Sequence, residues 1–119
     1  MIDSNVIAKI CLSLPSSTQE YKEEWDAYRF MVADKMYALV GEDSEKQPIL
    51  TLKCDPIFSE ELRDQYKEIK PGYYMNKKHW ISIYYSSSIP LELTEKLINH
   101  SYQLVLKSLP KYIQKEIQQ

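Results

Sequence analysis

The sequence has few of the residues on which small enzymes and phosphate-binding loops depend. Its only glycines are Gly41 and Gly72, which excludes a glycine-rich loop that cradles phosphate groups. Its only histidines are His79 and His100, and no serine or cysteine forms a recognisable nucleophile motif with either of them. We therefore expect a protein that is not an enzyme and carries no cofactor.

Cysteine is equally scarce. Cys11 and Cys54 lie far apart in apolar segments, without the close spacing of a zinc site, and we interpret both as small buried residues that form no disulfide. The acidic residues between positions 20 and 26 have the chemistry to gather around a hard cation, but we interpret them as a solvated edge. The sequence thus predicts no metal site.

Long apolar runs are also missing. No segment approaches the roughly 20 apolar residues that a membrane span needs, and the first residues lack the basic and then apolar pattern of a secretory signal. We expect a cytoplasmic protein without membrane contact. A chain of 119 residues that is 44% hydrophobic and 27% charged is typical of one domain, which we place at residues 1–119.

The charge is low overall but unevenly placed. A net charge of -2 argues against a protein that coats nucleic acid by charge alone. Residues 66–80, however, contain four lysines and a single carboxylate, Glu68. A local positive field is therefore predicted in this segment.

Apolar residues with a helical period predict four helices. The first covers residues 4–13, the second begins at Asp55-Pro56, and the longest runs from Pro90 to near Pro110, followed by a short helix around Ile113. In the second helix, Phe58, Leu62 and Tyr66 are expected to form the buried stripe.

Alternating and β-branched segments predict the strands. A weak first strand is expected at 21–25, a hairpin at 28–40 that turns at Ala33-Asp34-Lys35, and further strands at 49–54 and 79–85, with Pro71-Gly72 as a turn. The fold class is therefore α+β, with helices packed on one face of a mainly antiparallel sheet. The other face is expected to be partly wet or to hold a partner.

The segment Pro71 to Trp80 combines a turn with Lys77, Lys78, His79 and several aromatic residues, and no apolar period explains this mixture. Cationic and aromatic side chains together are typical of surfaces that bind flexible nucleic acids, where lysines contact phosphates and rings stack on bases.

Several fragments, taken in order, resemble the MmcQ/YjbR family. They are Leu52-Lys53-Cys54-Asp55-Pro56, Leu62-Arg63 with Tyr66, Pro71-Gly72-Tyr73, Met75-Asn76-Lys77-Lys78-His79-Trp80, Ser101-Tyr102 and Leu109-Pro110. The resemblance implies a frataxin-like (CyaY-like) sandwich and a small DNA-binding protein whose sheet and loops form a double-wing surface. The family tends to have glycine in the hairpin turn, where this chain has Ala33-Asp34-Lys35.

We therefore expect DNA to be the partner. The candidate nucleic-acid-binding residues are Arg29, Lys53, Tyr74, Asn76, Lys77, Lys78, His79 and Trp80. Each also has a simpler interpretation: the lysines belong to a solvated loop, the indole packs under that loop, and Asn76 caps a turn.

A second hypothesis belongs to another class. In this interpretation the chain is a small-molecule or protein-interaction module, with an aromatic pocket near His79 and Trp80 and with lysines that hold an anionic group of the ligand. The chain is expected to be a monomer or a weak dimer, with the sheet face as the interface in the second case.

Overall fold

A computed structural model describes residues 2–73, 75–86 and 88–118 and contains one antiparallel sheet covered by helices. The strands are β1 (Ser17–Lys22), β2 (Ala27–Val32), β3 (Lys35–Glu42), β4 (Pro48–Lys53), β5 (Ile69–Pro71) and β6 (Trp80–Ile83). The helices are α1 (Ser4–Leu12), α2 (Pro56–Gln65), α3 (Leu91–Lys107) and α4 (Lys111–Gln118). The strand order is β1-β2-β3-β4-β6-β5, and the predicted α+β fold class is confirmed.

Two helices begin where aspartate side chains accept backbone N–H groups that lack partners inside the helix. Asp3 accepts from the N–H of Val6 at 2.9 Å, and Asp55 accepts from Ile57 and Phe58 at 3.1 Å each, with Pro56 as the first residue of α2. Both predicted starts are confirmed. Tyr66 ends α2 in an extended conformation and not as a helical residue, but its side chain packs against the core together with that of Phe58, as the predicted stripe requires.

The core lies between the sheet and the helices. Side chains from the central strands, such as Leu50, Leu52 and Ile81, are fully buried together with Leu97 and Ile98 of α3. Cys11 and Cys54 are buried and free, as predicted. Burial raises the pKa of both thiols to about 12.

The β2–β3 hairpin has a two-residue turn. Val32 pairs with Lys35, and both residues between them have positive φ, 48° at Ala33 and 64° at Asp34. Positive φ at both central positions is the type I′ geometry that matches the twist of a hairpin and that favours glycine or asparagine. The turn predicted from the sequence is confirmed, although Ala33 is a costly residue for it.

Two parts of the sheet differ from the sequence prediction. The first strand begins at Ser17 rather than Tyr21, and Glu23–Trp25 forms a 3-10 turn. β1 is an edge strand with mostly exposed side chains, so its sequence shows no apolar alternation. Pro71, which was expected to form a turn with Gly72, instead ends the opposite edge strand β5, where proline is tolerated because an outer N–H needs no partner.

The helices of the described chain are all too short or too polar to span a bilayer.

Candidate nucleic-acid interface and the distal face of the sheet

The register of the sheet defines which side chains share a face, because residues directly opposite one another point the same way. Phe30, Ala38, Leu52 and Ile81 form a row that faces the helices. The neighbouring row, Arg29, Leu39, Thr51 and Ser82, must point to the other side. We call that side the distal face.

Lys53 and Trp80 lie together at one end of the distal face. They are direct partners in the β4–β6 ladder, and the N–H of Gly72 donates to the carbonyl oxygen of Trp80 at 2.8 Å. A Cβ atom at Gly72 would lie 2.6 Å from the Cβ of Trp80. Glycine is therefore required here by the close approach of the two segments.

The turn that leads into β6 is built on Asn76. Its Oδ1 atom accepts hydrogen bonds from the N–H groups of Lys78 at 2.9 Å and His79 at 3.3 Å. The carbonyl oxygen of His79 then accepts from the N–H of Cys54 at 2.9 Å, which joins the turn to the end of β4. Asn76 therefore forms the turn, as its simpler interpretation predicted.

The lysine side chains at this end of the distal face keep their positive charge. The Nζ atom of Lys77 donates to the carbonyl oxygen of Gly72 at 2.9 Å, so one neutral acceptor fixes the ammonium group and leaves its charge. Lys78 and His79 are exposed, while Lys53 and Trp80 are half-buried. Within residues 2–73, 75–86 and 88–118, no lysine of this end forms an ion pair.

The remaining candidates fall elsewhere. Arg29 lies on the distal face, but its Nη2 and Nε atoms donate to Oε1 of Glu20 at 2.6 and 3.1 Å. Moreover, β3 separates β2 from β4, so the strands that carry Arg29 and Lys53 are not neighbours in the sheet. Tyr74 lies outside the described residues.

Hydrogen bonds hold the loop after Gly72 against the distal face. The N–H of Tyr73 donates to Oγ of Ser82 at 2.8 Å, and its hydroxyl accepts from the N–H of Ser44 at 3.0 Å. Asp43 accepts from the hydroxyl of Tyr84 at 2.9 Å. Desolvation, together with this hydrogen bond, raises the pKa of Tyr84 to about 12.

His100 belongs to the helix layer. Its Nε2 atom accepts from the N–H of Asp55 at 3.4 Å, and its ring packs edge to face on Phe58 with centroids 5.0 Å apart. Burial lowers the pKa of the imidazole, which favours the neutral form that this acceptor role needs. These contacts give His100 a structural role in the packing of α2 against α3.

The distal face also contains a cavity of about 390 Å³. It is lined by Glu24, Trp25, Ala27, Leu39, Gly41, Glu42, Ile49, Thr51 and Met75. The pocket of the second hypothesis, near His79 and Trp80 with lysines for an anionic ligand, does not coincide with this cavity, which has neither residue in its lining.

Sequence reasoning missed this cavity because its walls come from distant segments. Trp25 follows β1, whereas Met75 belongs to the loop after β5. The one available signal was a tryptophan inside an acidic, polar segment. For metals, the part of the chain that the structure describes has no cluster of three or more histidine, cysteine or acidic residues with ligand geometry.

Comparisons with known proteins agree on one family. The YjbR family model matches residues 12–104. The uncharacterised protein YjbR of Escherichia coli K12 is 32% identical over 104 residues, which cover 87% of each chain. The uncharacterised protein YbdF of Escherichia coli O157:H7 is 42% identical over 88 residues, which cover 74% of this chain and 71% of that one.

Solved structures extend the likeness to the whole fold. The crystal structure of the Deinococcus radiodurans protein DR2400, a DUF419 domain, superposes with a TM-score of 0.85 at 34% identity and covers 95% of this chain and 86% of that one. A Pseudomonas syringae protein reaches a TM-score of 0.77 at 23% identity, covering 87% of this chain and 98% of its own. This second likeness concerns the fold alone.

Proposed function

This chain belongs to the YjbR family, and from the geometry of its distal face we propose that it is a non-enzymatic protein that binds DNA through Lys53, Lys77, Lys78 and Trp80. The observation that carries the proposal is the direct pairing of Lys53 with Trp80. A cation and a flat ring therefore stand side by side at the end of the sheet, next to a turn with two more lysines.

The way in which Lys77 is held favours a phosphate contact. Lys77 is held by a carbonyl oxygen, which occupies one of its three donors. Ordering a side chain before binding lowers the entropy cost of the contact. Arg29 is already neutralised by Glu20, so we assign the phosphate contacts to the three lysines.

Trp80 adds base stacking to the phosphate contacts of the lysines. Stacking of a base on an aromatic side chain contributes about 1–3 kcal/mol and tolerates any base sequence. A base inside a duplex has both faces covered by its neighbours, so a stacking site of this kind favours single-stranded or unpaired DNA. The proposal therefore predicts tighter binding to a single strand than to a duplex of the same length.

The test is a fluorescence anisotropy titration of a labelled oligothymidylate, and of a labelled duplex of the same length, at about 50 and 200 mM salt, a range over which phosphate contacts lose affinity. Affinity should fall with salt. The double variant Lys77→Ala, Lys78→Ala should reduce the slope of log affinity against log salt by about 0.7 for each lost contact. The matched control is Lys111→Ala, Lys115→Ala on α4, which removes the same charge from the helix side of the sheet.

Two results would overturn the proposal. One is the absence of salt-sensitive affinity for either DNA form up to about 100 µM, the weak limit of ordinary non-specific binding. The other is an equal change of slope in the α4 control. Such a result would show that the salt dependence reflects the net charge of the protein and not contacts at the proposed surface.

A further inference from the structure

We propose that the cavity beside Trp25 binds a small uncharged aromatic molecule, whose ring covers the apolar floor at Leu39 and Ile49 and packs against the indole. The lining that the structure describes includes none of the residues assigned to DNA binding. The inference therefore does not depend on the DNA-binding proposal.

Side chains of the distal face form the floor of the cavity. Gly41 pairs with Ile49, and Leu39 pairs with Thr51, in the β3–β4 ladder. These pairs are two residues apart along each strand, so all four positions point to the same side of the sheet. Ala27 extends the first pair onto β2, where a Cβ atom at Gly41 would lie 3.0 Å from the Cβ of Ala27. Two small residues side by side therefore leave a depression next to larger apolar ones.

The floor does not require a polar group on the ligand. Leu39 and Ile49 are buried apolar side chains. The hydroxyl of Thr51 already shares a hydrogen bond with that of Ser82 at 2.8 Å. A ligand that covers this floor therefore gains mainly by removing apolar surface from water.

The charged residues of the lining, Glu24 and Glu42, do not select a charged ligand. The carboxylate of Glu24 pairs with Nζ of Lys22 at 3.0 Å, and this ammonium group lies 5.5 Å from the centre of the Trp25 ring. Glu42 follows Gly41 on β3, and because side chains alternate along a strand, its carboxylate points to the helix side of the sheet. An uncharged ligand avoids the cost of dehydrating an ion that would find no partner here.

Two side chains at the edge of the cavity favour a ring. Trp25 is 51% exposed even with the ion pair beside it, and Met75 contributes a thioether from the loop after β5. Aromatic rings pack favourably on one another in offset or edge-to-face arrangements, and thioether sulfur contacts ring edges. The volume of about 390 Å³ lies within the range of about 300–1,000 Å³ that is typical of small-ligand sites.

Four probes of similar size test this inference. Benzyl alcohol is the uncharged aromatic probe, cyclohexylmethanol is its saturated counterpart, and benzylamine and benzoate carry a positive and a negative charge. Each is titrated into ¹⁵N-labelled protein while the amide and indole N–H resonances are followed by NMR. Benzyl alcohol should shift the Trp25 indole and the Gly41 amide with a Kd of about 1 mM, reasonable for so small a molecule. Neither charged probe should bind more tightly than benzyl alcohol.

A variant at Trp25 tests the preference for a ring. Trp25→Leu keeps an apolar side chain but removes the ring, and the exposure of this position makes the substitution compatible with folding. It should lower the affinity for benzyl alcohol by about two- to tenfold, the loss expected for one aromatic pair. The affinity for cyclohexylmethanol should fall less.

The matched control is Tyr112→Leu on α4, which removes another exposed ring, 67% exposed, from the helix side of the sheet. It should leave both affinities unchanged. Four results would overturn the inference: tighter binding of a charged probe, equal effects of the two variants, shifts confined to other surfaces, or no binding at about 10 mM, tenfold above the expected Kd.

Discussion

Lys53 and Trp80 stand directly opposite each other in the β4–β6 ladder, and the N–H of Lys53 donates to Oγ of Ser101 at 2.9 Å. The Ser101 hydroxyl donates in turn to the carbonyl oxygen of Tyr37 at 2.6 Å. One buried serine of α3 thus joins β3 and β4 below the proposed DNA surface. The position of Lys53 is set by the core as well as by its own strand.

Replacing Ser101 should therefore destabilise the protein. Ser101→Ala leaves a backbone donor and a backbone acceptor without this partner in a fully buried place, and we expect a loss of about 2 kcal/mol in the free energy of unfolding. Urea denaturation measures it. The control is Ser108→Ala, an exposed residue whose hydroxyl donates to the carbonyl oxygen of Val105 in the preceding turn; equal losses in the two variants would contradict the bridging role.

Gly72 should not tolerate a side chain. In Gly72→Ala the new Cβ would lie 2.6 Å from Cβ and 3.0 Å from the carbonyl oxygen of Trp80, so the two segments must separate. We expect a loss of about 1–3 kcal/mol in thermal or urea denaturation. Gly41→Ala is the milder comparison, because its Cβ would lie 3.0 Å from one side-chain atom of Ala27. The same cost at both positions would refute this steric argument.

The hairpin turn offers a stabilising change. Ala33 has a φ of 48°, a conformation that costs a residue with a Cβ atom about 1–2 kcal/mol. Glycine avoids this cost but loses some of the gain through greater freedom in the unfolded chain, so Ala33→Gly should stabilise by about 0.5–1 kcal/mol. In α1, Ala8→Gly should do the reverse. A lower melting temperature for Ala33→Gly would show that the turn is not type I′.

Stability should decrease at alkaline pH. The thiols of Cys11 and Cys54 have pKa values raised from 9.0 to about 12 in the folded protein. The folded state therefore holds these protons more tightly, so the stabilisation is complete below pH 9 and is lost as the pH rises from about 9 to about 12. Burial raises the pKa of Tyr37 as well, with the same sign.

Urea midpoints at about pH 7.5, 9 and 10.5 bracket this window. The midpoint should be nearly constant between the first two values and fall at the third. The double variant Cys11→Ala, Cys54→Ala should show a shallower fall, since the tyrosines remain. A midpoint that does not change up to pH 10.5 would contradict the assignment of buried, protonated thiols.

The elements that could be predicted from sequence are those with a local signal. The start of α2 follows from Asp55 and Pro56, whose capping chemistry needs only four residues of context. The hairpin follows from alternation on both sides of Ala33-Asp34. The family likeness, carried by fragments between residues 50 and 110, is confirmed by the comparisons.

The elements that escaped prediction depend on long-range pairing. β5 has three residues, and only its pairing with β6 makes it a strand. The insertion of β6 between β4 and β5 brings Trp80 opposite Lys53, which no local pattern encodes. For the same reason, no local pattern indicates the cavity lined by Trp25 and Met75, whose walls come from segments far apart in the chain.

The most direct test of the DNA-binding account uses the emission of Trp80 alone. The chain has two tryptophans, so Trp25→Phe leaves Trp80 as the single indole. Addition of an oligothymidylate should quench its fluorescence with the same midpoint as the anisotropy titration, because a stacked base contacts the ring. Binding that saturates without any change in Trp80 emission would contradict the account.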